Sequence, residues 1–175
     1  MVWGFGDILT DTGRSKPRAK TAGHLRDVTF RKKLCGMGAG FFIDRLEFLK
    51  LGSLKTSQIV DEDTDICCRL VAAGYDPYYT KKIAVCVARN DQENRLTNST
   101  PSDVVLDCYL QTLKANYSAF AHDQSARDFL IDRVHRILCK NKKFGMISQL
   151  RQYERSHTIK FLEGMRELKY RFFKS

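Results

Sequence analysis

Four carboxylates, Asp61, Glu62, Asp63 and Asp65, stand together at the start of the stretch Val60 to Tyr75. Acidic side chains grouped in this way have two chemistries open to them. A positioned carboxylate can take a proton from an attacking hydroxyl as a general base. Oxygen ligands in overlapping D-x-D triplets, Asp61-Glu62-Asp63 and Asp63-Thr64-Asp65, can also hold a divalent cation. The structural alternative is plain helix capping, which Asp performs routinely. Ile66, Leu70 and Ala73 follow at helical spacing, and Gly74 supplies a residue able to take positive φ at the stop. The stretch therefore predicts an acidic loop running into a helix of about ten residues. The carboxylates then lie at the positive end of the helix dipole. Asp65 and Arg69, an acid and a base four residues apart, are expected to be a structural pair rather than catalytic groups.

Upstream, Cys35 to Arg45 reads Cys-Gly-Met-Gly-Ala-Gly-Phe-Phe-Ile-Asp-Arg. Glycines at 36, 38 and 40 alternate, so a strand there has one bare face that a ligand or another backbone can approach. No Gly-Lys-Ser/Thr follows, which excludes a phosphate-binding loop. Asp44 with Glu47 predicts a capping box, opening a short helix with Leu46, Phe48 and Leu49 on its buried side and Gly52 at its end.

The ordered set of these features resembles the second half of the catalytic domain of family 2 glycosyltransferases. That inverting GT-A group includes rhamnosyltransferase-like enzymes. The matching residues are Gly38-Ala39-Gly40, then Arg45 and a helix ending at Gly52, then Glu62-Asp63, Asp65, Arg69 and Gly74-Tyr75. The resemblance covers roughly residues 4 to 90, and Phe161 to Leu168 is similar to the family's C-terminal helix. It implies an α/β fold, a partial GT-A domain lacking its N-terminal half and followed by basic amphipathic helices. It implies transfer of a sugar from a nucleotide sugar to a glycan or lipid-linked acceptor. Asp63 would be the catalytic base with Glu62 beside it, and Gly38, Ala39, Gly40 and Asp61 would line the acceptor side. A divalent cation, Mg or Mn, is implied for a complete enzyme, with no metal ligands in this chain and a separate N-terminal half as a further partner the resemblance allows. The chain departs from the pattern at Cys86-Val87-Ala88-Arg89, where the family places a His, and it lacks the D-x-D of the nucleotide-binding half. The alternatives are a non-catalytic remnant or subunit of such an enzyme and, less favoured, a basic nucleic-acid-binding module. For the last, no zinc finger, helix-turn-helix or RRM-type aromatic pattern is present in the sequence.

Other chemistries find little in the sequence. The six cysteines form no C-x-x-C pair and each falls in an apolar stretch, which predicts buried reduced thiols of a cytoplasmic protein. The four histidines have no metal-ligand spacing. No run of eighteen apolar residues occurs, and the N-terminus has no signal-peptide pattern.

The elements that must position these residues change character near residue 100. Residues 1–100 predict mixed strand and helix, the acceptor-side part of the domain. Phe5, Ile8 and Leu9 suggest a short strand turning at Asp11-Thr12-Gly13, and Tyr75 to Ala88 a strand pair or one interrupted strand. Residues 101–175 predict a basic helical region. Thr100-Pro101 reads as N-cap and first helical residue. A second helix carries Phe129, Leu130, Val134, Ile137 and Leu138, and a last one Ile159, Leu162, Met165, Leu168 and Phe172. Residues 131–175 hold twelve Lys and Arg against four Asp and Glu, most of the chain's net charge of +10. A basic amphipathic tail predicts a polyanionic partner. An anionic membrane, here the inner face of the plasma membrane, is set against a tail that packs its apolar side on the domain.

Overall fold

The computed structural model describes residues 2–10, 13–14, 23–24, 41–75, 78–88 and 99–172, with side chains placed for 42–75, 78 and 99–172. It divides into two compact units, Met1–Thr100 and Pro101–Ser175.

In the first unit, strand β1 (Val2–Thr10) pairs antiparallel with the two-residue strands β2 (Gly13–Arg14) and β4 (Phe41–Phe42). It runs parallel to β5 (Tyr78–Ala88), whose other neighbour is the short β3 (Gly23–His24). Two helices follow β4: α1 (Arg45–Lys50) and α2 (Glu62–Ala72). Both are stopped alike. Gly52 and Gly74 each take φ of +83°. The amides at the two ends then bond back in the Schellman pattern, Gly52 to Leu49 and Ser53 to Phe48, Gly74 to Val71 and Tyr75 to Leu70. At the start of α1, the Asp44 carboxylate accepts from the amides of Leu46 and Glu47. Ile66, Cys67, Cys68 and Leu70 of α2 bury their side chains fully with Val60 beside them.

The second unit is built from helices joined by turns and 3₁₀ segments. Helix α3 (Ser102–Asn116) and helix α4 (Gln124–Lys140) are joined by a 3₁₀ turn at Ser118–Phe120. A longer 3₁₀ segment, Phe144–Gln152, leads to α5 (His157–Phe172). Helix α3 packs on α4, and Leu106, Leu110 and Leu113 of α3, Leu130, Ile131, Val134 and Leu138 of α4 and Leu150 of the 3₁₀ segment are buried. Two buried polar residues of α3 satisfy themselves on its own backbone, Thr112 on the Cys108 carbonyl and Asn116 on that of Thr112. Ser156 caps α5 through its hydroxyl, which accepts from the Ile159 amide.

The α/β expectation is corrected. The described residues are mostly helical, and among those with placed side chains only Phe42 and Tyr78 lie in strands. A GT-A half alternates strands and helices so that helices cover a parallel sheet. Here the placed apolar cores are α2 and the helical stack of α3, α4 and the 3₁₀ segment. The physical reason is that the buried apolar side chains among the described residues all lie on helices or 3₁₀ segments, apart from Val60 just before α2, so these cores close on helices without a sheet. Two boundaries also move. Pro101 is the residue before α3 rather than its first helical residue, and α2 opens at Glu62 rather than after the acidic run.

Candidate functional site

The acidic cluster is the first turn of α2, and the helix distributes its carboxylates unequally. Asp61 is the residue before the helix, held at φ 68° in the left-handed region, nearly buried, and its carboxylate does not cap the helix amides. Glu62 and Asp63 are half-exposed. One Asp63 oxygen, Oδ1, accepts from the Thr64 amide at 2.6 Å and its hydroxyl at 3.3 Å. Asp65 is buried, 1% exposed. Its Oδ1 accepts from Lys55 Nζ at 2.9 Å and its Oδ2 from Arg69 Nε at 3.0 Å. Arg69 in turn donates to the carbonyls of Leu51 and Ser53. A cation thus closes the C-terminal end of α1, where the last carbonyls lack helical donors. Tyr75 donates its hydroxyl to Glu47, which is also paired with Lys50 at 2.7 Å; that pairing, first with Lys50 and then with Tyr75, holds the Glu47 carboxyl below its usual range. The second half of the expected capping box is therefore absent, because Glu47 is engaged elsewhere.

As a metal site the cluster does not fit. Asp65 is taken by two cations, so Asp63-Thr64-Asp65 does not offer two carboxylates to one ion, and no group of three or more suitable ligands occurs among the described residues. Glu62, Asp63 and Asp61 adjoin one another. Gly38, Ala39 and Gly40 lie outside the described residues, as does the side chain of Cys86. Cys67, Cys68, Cys108 and Cys139 are buried and not in disulfides; burial raises the Cys67 thiol far above its usual range and the Cys139 thiol to about 11.

The second unit holds the less expected arrangement. Helix α5 turns its charged side inward. Ile159, Glu163, Arg166, Glu167 and Tyr170 recur at helical spacing and carry all its buried or half-buried positions. Arg166 joins Asp132 of α4 at 2.7 Å and donates to Nδ1 of the fully buried His135 at 2.9 Å. Nε2 of His135 lies 3.3 Å from Glu167. With Nδ1 accepting from a guanidinium, Nε2 must carry the proton and donate, so both ring nitrogens are used by the neutral imidazole. Burial is the main cause that lowers the His135 pKa, and the Arg166 charge adds to it against the pull of Glu167. Asp132 also pairs with Arg136, and Glu163 with Arg155 at 3.1 Å. Burial raises the Glu163 carboxyl, and Arg155 opposes it.

The other side of α5 is apolar and outward. Phe161, Met165, Leu168 and Phe172 are spaced four, three and four, with Leu162 alongside, and their exposures run from 45% to 72%. Of Ile159, Leu162, Met165, Leu168 and Phe172, Ile159 alone is half-buried and the others are exposed. Lys169 lies within the apolar stripe, Arg166 on one flank, and Lys160 and Arg171 on the other. The periodicity of the tail was visible in sequence. The polar stripe was visible too, as Glu163, Arg166 and Glu167, but two stripes at one period do not say which is inside. No family model, curated protein or solved structure matches this chain, so the two sites are read from their own geometry.

Proposed function

We propose that the C-terminal unit binds an anionic membrane surface through α5, and that the protein works at such a surface. The observation that carries this is the inverted helix: a continuous stripe of Phe161, Met165, Leu168 and Phe172 faces outward while the charged stripe is consumed inside. A surface helix of a globular domain has the opposite sense. Apolar residues flanked by Lys and Arg suit the interface plane, with the stripe among acyl chains and the cations at headgroups. Each cation near an anionic surface contributes about 1 kcal/mol. No helix among the described residues is long and apolar enough to cross a membrane. The test is co-sedimentation with vesicles at near-physiological salt. Wild type should pellet with vesicles containing phosphatidylserine and stay in solution with neutral ones. Phe161→Ser with Leu168→Ser should remain in solution with both. Equal indifference of wild type to both vesicles contradicts the reading. Salt-resistant DNA binding, or self-association that hides the stripe, would replace it.

Glycosyl transfer is a second proposal, favoured by one observation: α2 leaves Glu62 and Asp63 half-exposed, whereas Asp65 is buried in its pairs with Lys55 and Arg69. A lipid-linked acceptor would meet a chain held at a surface. Sugar release from UDP- or dTDP-sugars, lost in Asp63→Asn and kept in Asp65→Asn, would support it. No turnover by the chain, alone or with a supplied N-terminal half, would remove it.

A further inference from the structure

A cavity of about 280 Å³ opens between α5 and the Phe144–Gln152 segment. Its α5 wall is the row Lys160, Gly164 and Arg171, the same row that edges the apolar stripe. The facing wall brings Arg151 and, from the connection, Arg155. Four cations therefore converge on one small space that also holds two carboxylates, Glu163 and Glu167.

Two of these groups are incompletely satisfied. Arg155, 12% exposed, gives one guanidinium nitrogen to Glu163 at 3.1 Å, yet its buried Nε has no hydrogen-bond acceptor among the described residues. Glu163, 7% exposed, uses Oε2 in that pair, and its buried Oε1 has no donor there. Leaving a buried polar atom unpaired is costly, so such a pair marks a place where a water or a ligand completes the bonds. The missing partners are one acceptor and one donor. Arg151 and Lys160, both exposed, form no ion pair among the described residues and are available to an anion. Arg171 lies with its guanidinium 4.7 Å over the ring of Phe144, held at the cavity wall.

We propose that this cavity binds a hydroxyl-bearing phosphate ester. Its phosphate oxygens lie among Arg151, Arg155, Lys160 and Arg171, and its hydroxyl donates to Glu163. Arginine forks match phosphate oxygens, and lysine adds a point charge. The volume is just below the roughly 300–1,000 Å³ of ordinary small-molecule pockets, which suits a headgroup-sized ligand rather than a nucleotide sugar. Two sources share this chemistry, a soluble glycerol phosphate and a phosphatidylglycerol headgroup. Because the cavity edges the outward stripe, the lipid source rests on the surface-binding reading.

Calorimetry with sn-glycerol 3-phosphate and with inorganic phosphate tests the chemistry, using the full chain. Glycerol 3-phosphate should bind saturably and more tightly than phosphate. Arg151→Ala with Lys160→Ala, both exposed positions, should weaken it about tenfold while thermal unfolding stays unchanged. Vesicles test the source. Phosphatidylglycerol and phosphatidylserine carry the same net charge, so a preference for the former that the double variant abolishes assigns the lipid headgroup. Soluble binding without that preference assigns the free ester. Phe161→Ser with Leu168→Ser should keep glycerol 3-phosphate binding while vesicle binding fails, which separates failure of the surface reading from failure of this one. Absence of binding at millimolar glycerol 3-phosphate together with equal affinity for the two vesicles overturns the proposal, and so does phosphate binding as tightly as its ester.

Discussion

Asp65 shows how far residue types alone carry. Its pairing with Arg69 was legible from the i,i+4 spacing, and the structure places that pair at 2.9 Å. What the spacing could not show is that Asp65 is buried and also holds Lys55, ten residues away. An exposed helix pair contributes about 0.3–0.5 kcal/mol. A buried carboxylate removed from two cations costs more, and with both partners partly exposed we expect Asp65→Asn to lower unfolding free energy by about 2–3 kcal/mol. Asp63→Asn, half-exposed and bonded only to Thr64 among the described residues, should cost less than about 1 kcal/mol. Urea unfolding of the two variants compares them, and equal losses would contradict the clamp. Positive φ at Gly74 was legible because glycine is the residue that tolerates it. At the end of α4 the same Schellman bonds run from Lys142 and Lys143 to Cys139 and Leu138, with Lys142 at φ 55°. No glycine marked that stop in the sequence. Lys142→Gly should raise stability by about 0.5–1 kcal/mol by relieving the left-handed strain, read as a higher urea midpoint.

At the scale of elements, the helices of residues 101–175 were legible because three-and-four spacing of apolar residues is a strong signal. The inward side of α5 was not. Its partner on α4 presents Asp132 and His135, which sit among Leu130, Val134 and Leu138 and give no sign in sequence that they would recruit Arg166 and Glu167 across helices. That buried network makes stability depend on pH. His135 has a lowered pKa in the fold, chiefly through burial, so the unfolded chain binds its proton more readily. Stability from this group is complete above the unfolded value of about 6.5 and declines as pH falls below it. Glu163 works in the opposite sense, since its raised pKa gives stability that is lost as pH rises through the folded value. Removing that opposition in Glu163→Gln should leave a urea midpoint that falls between about pH 7 and pH 5. A flat profile in that variant would show that burial does not hold His135 neutral in the fold.

For the whole molecule, the uneven charge was plain in the sequence, but the charge did not identify the surface it serves. The unit Pro101–Ser175 joins the basic segment to an outward apolar stripe, and the surface-binding proposal rests on that combination rather than on the charge alone. The α/β expectation failed here because the residue order Gly38-Ala39-Gly40, Glu62-Asp63, Gly74-Tyr75 follows the chain, whereas a fold is set by which faces pack. The most direct measurement places a reporter in the stripe. Trp3 is the only tryptophan, so Trp3→Phe with Met165→Trp puts one fluorophore on the outward side of α5. With vesicles carrying brominated acyl chains and phosphatidylserine, the surface-binding account predicts a blue-shifted emission and strong quenching, both reduced as salt is raised, since headgroup attraction is screened beyond a Debye length of about 8 Å at physiological salt. An emission that stays at its aqueous maximum and is unquenched at every lipid concentration would contradict it.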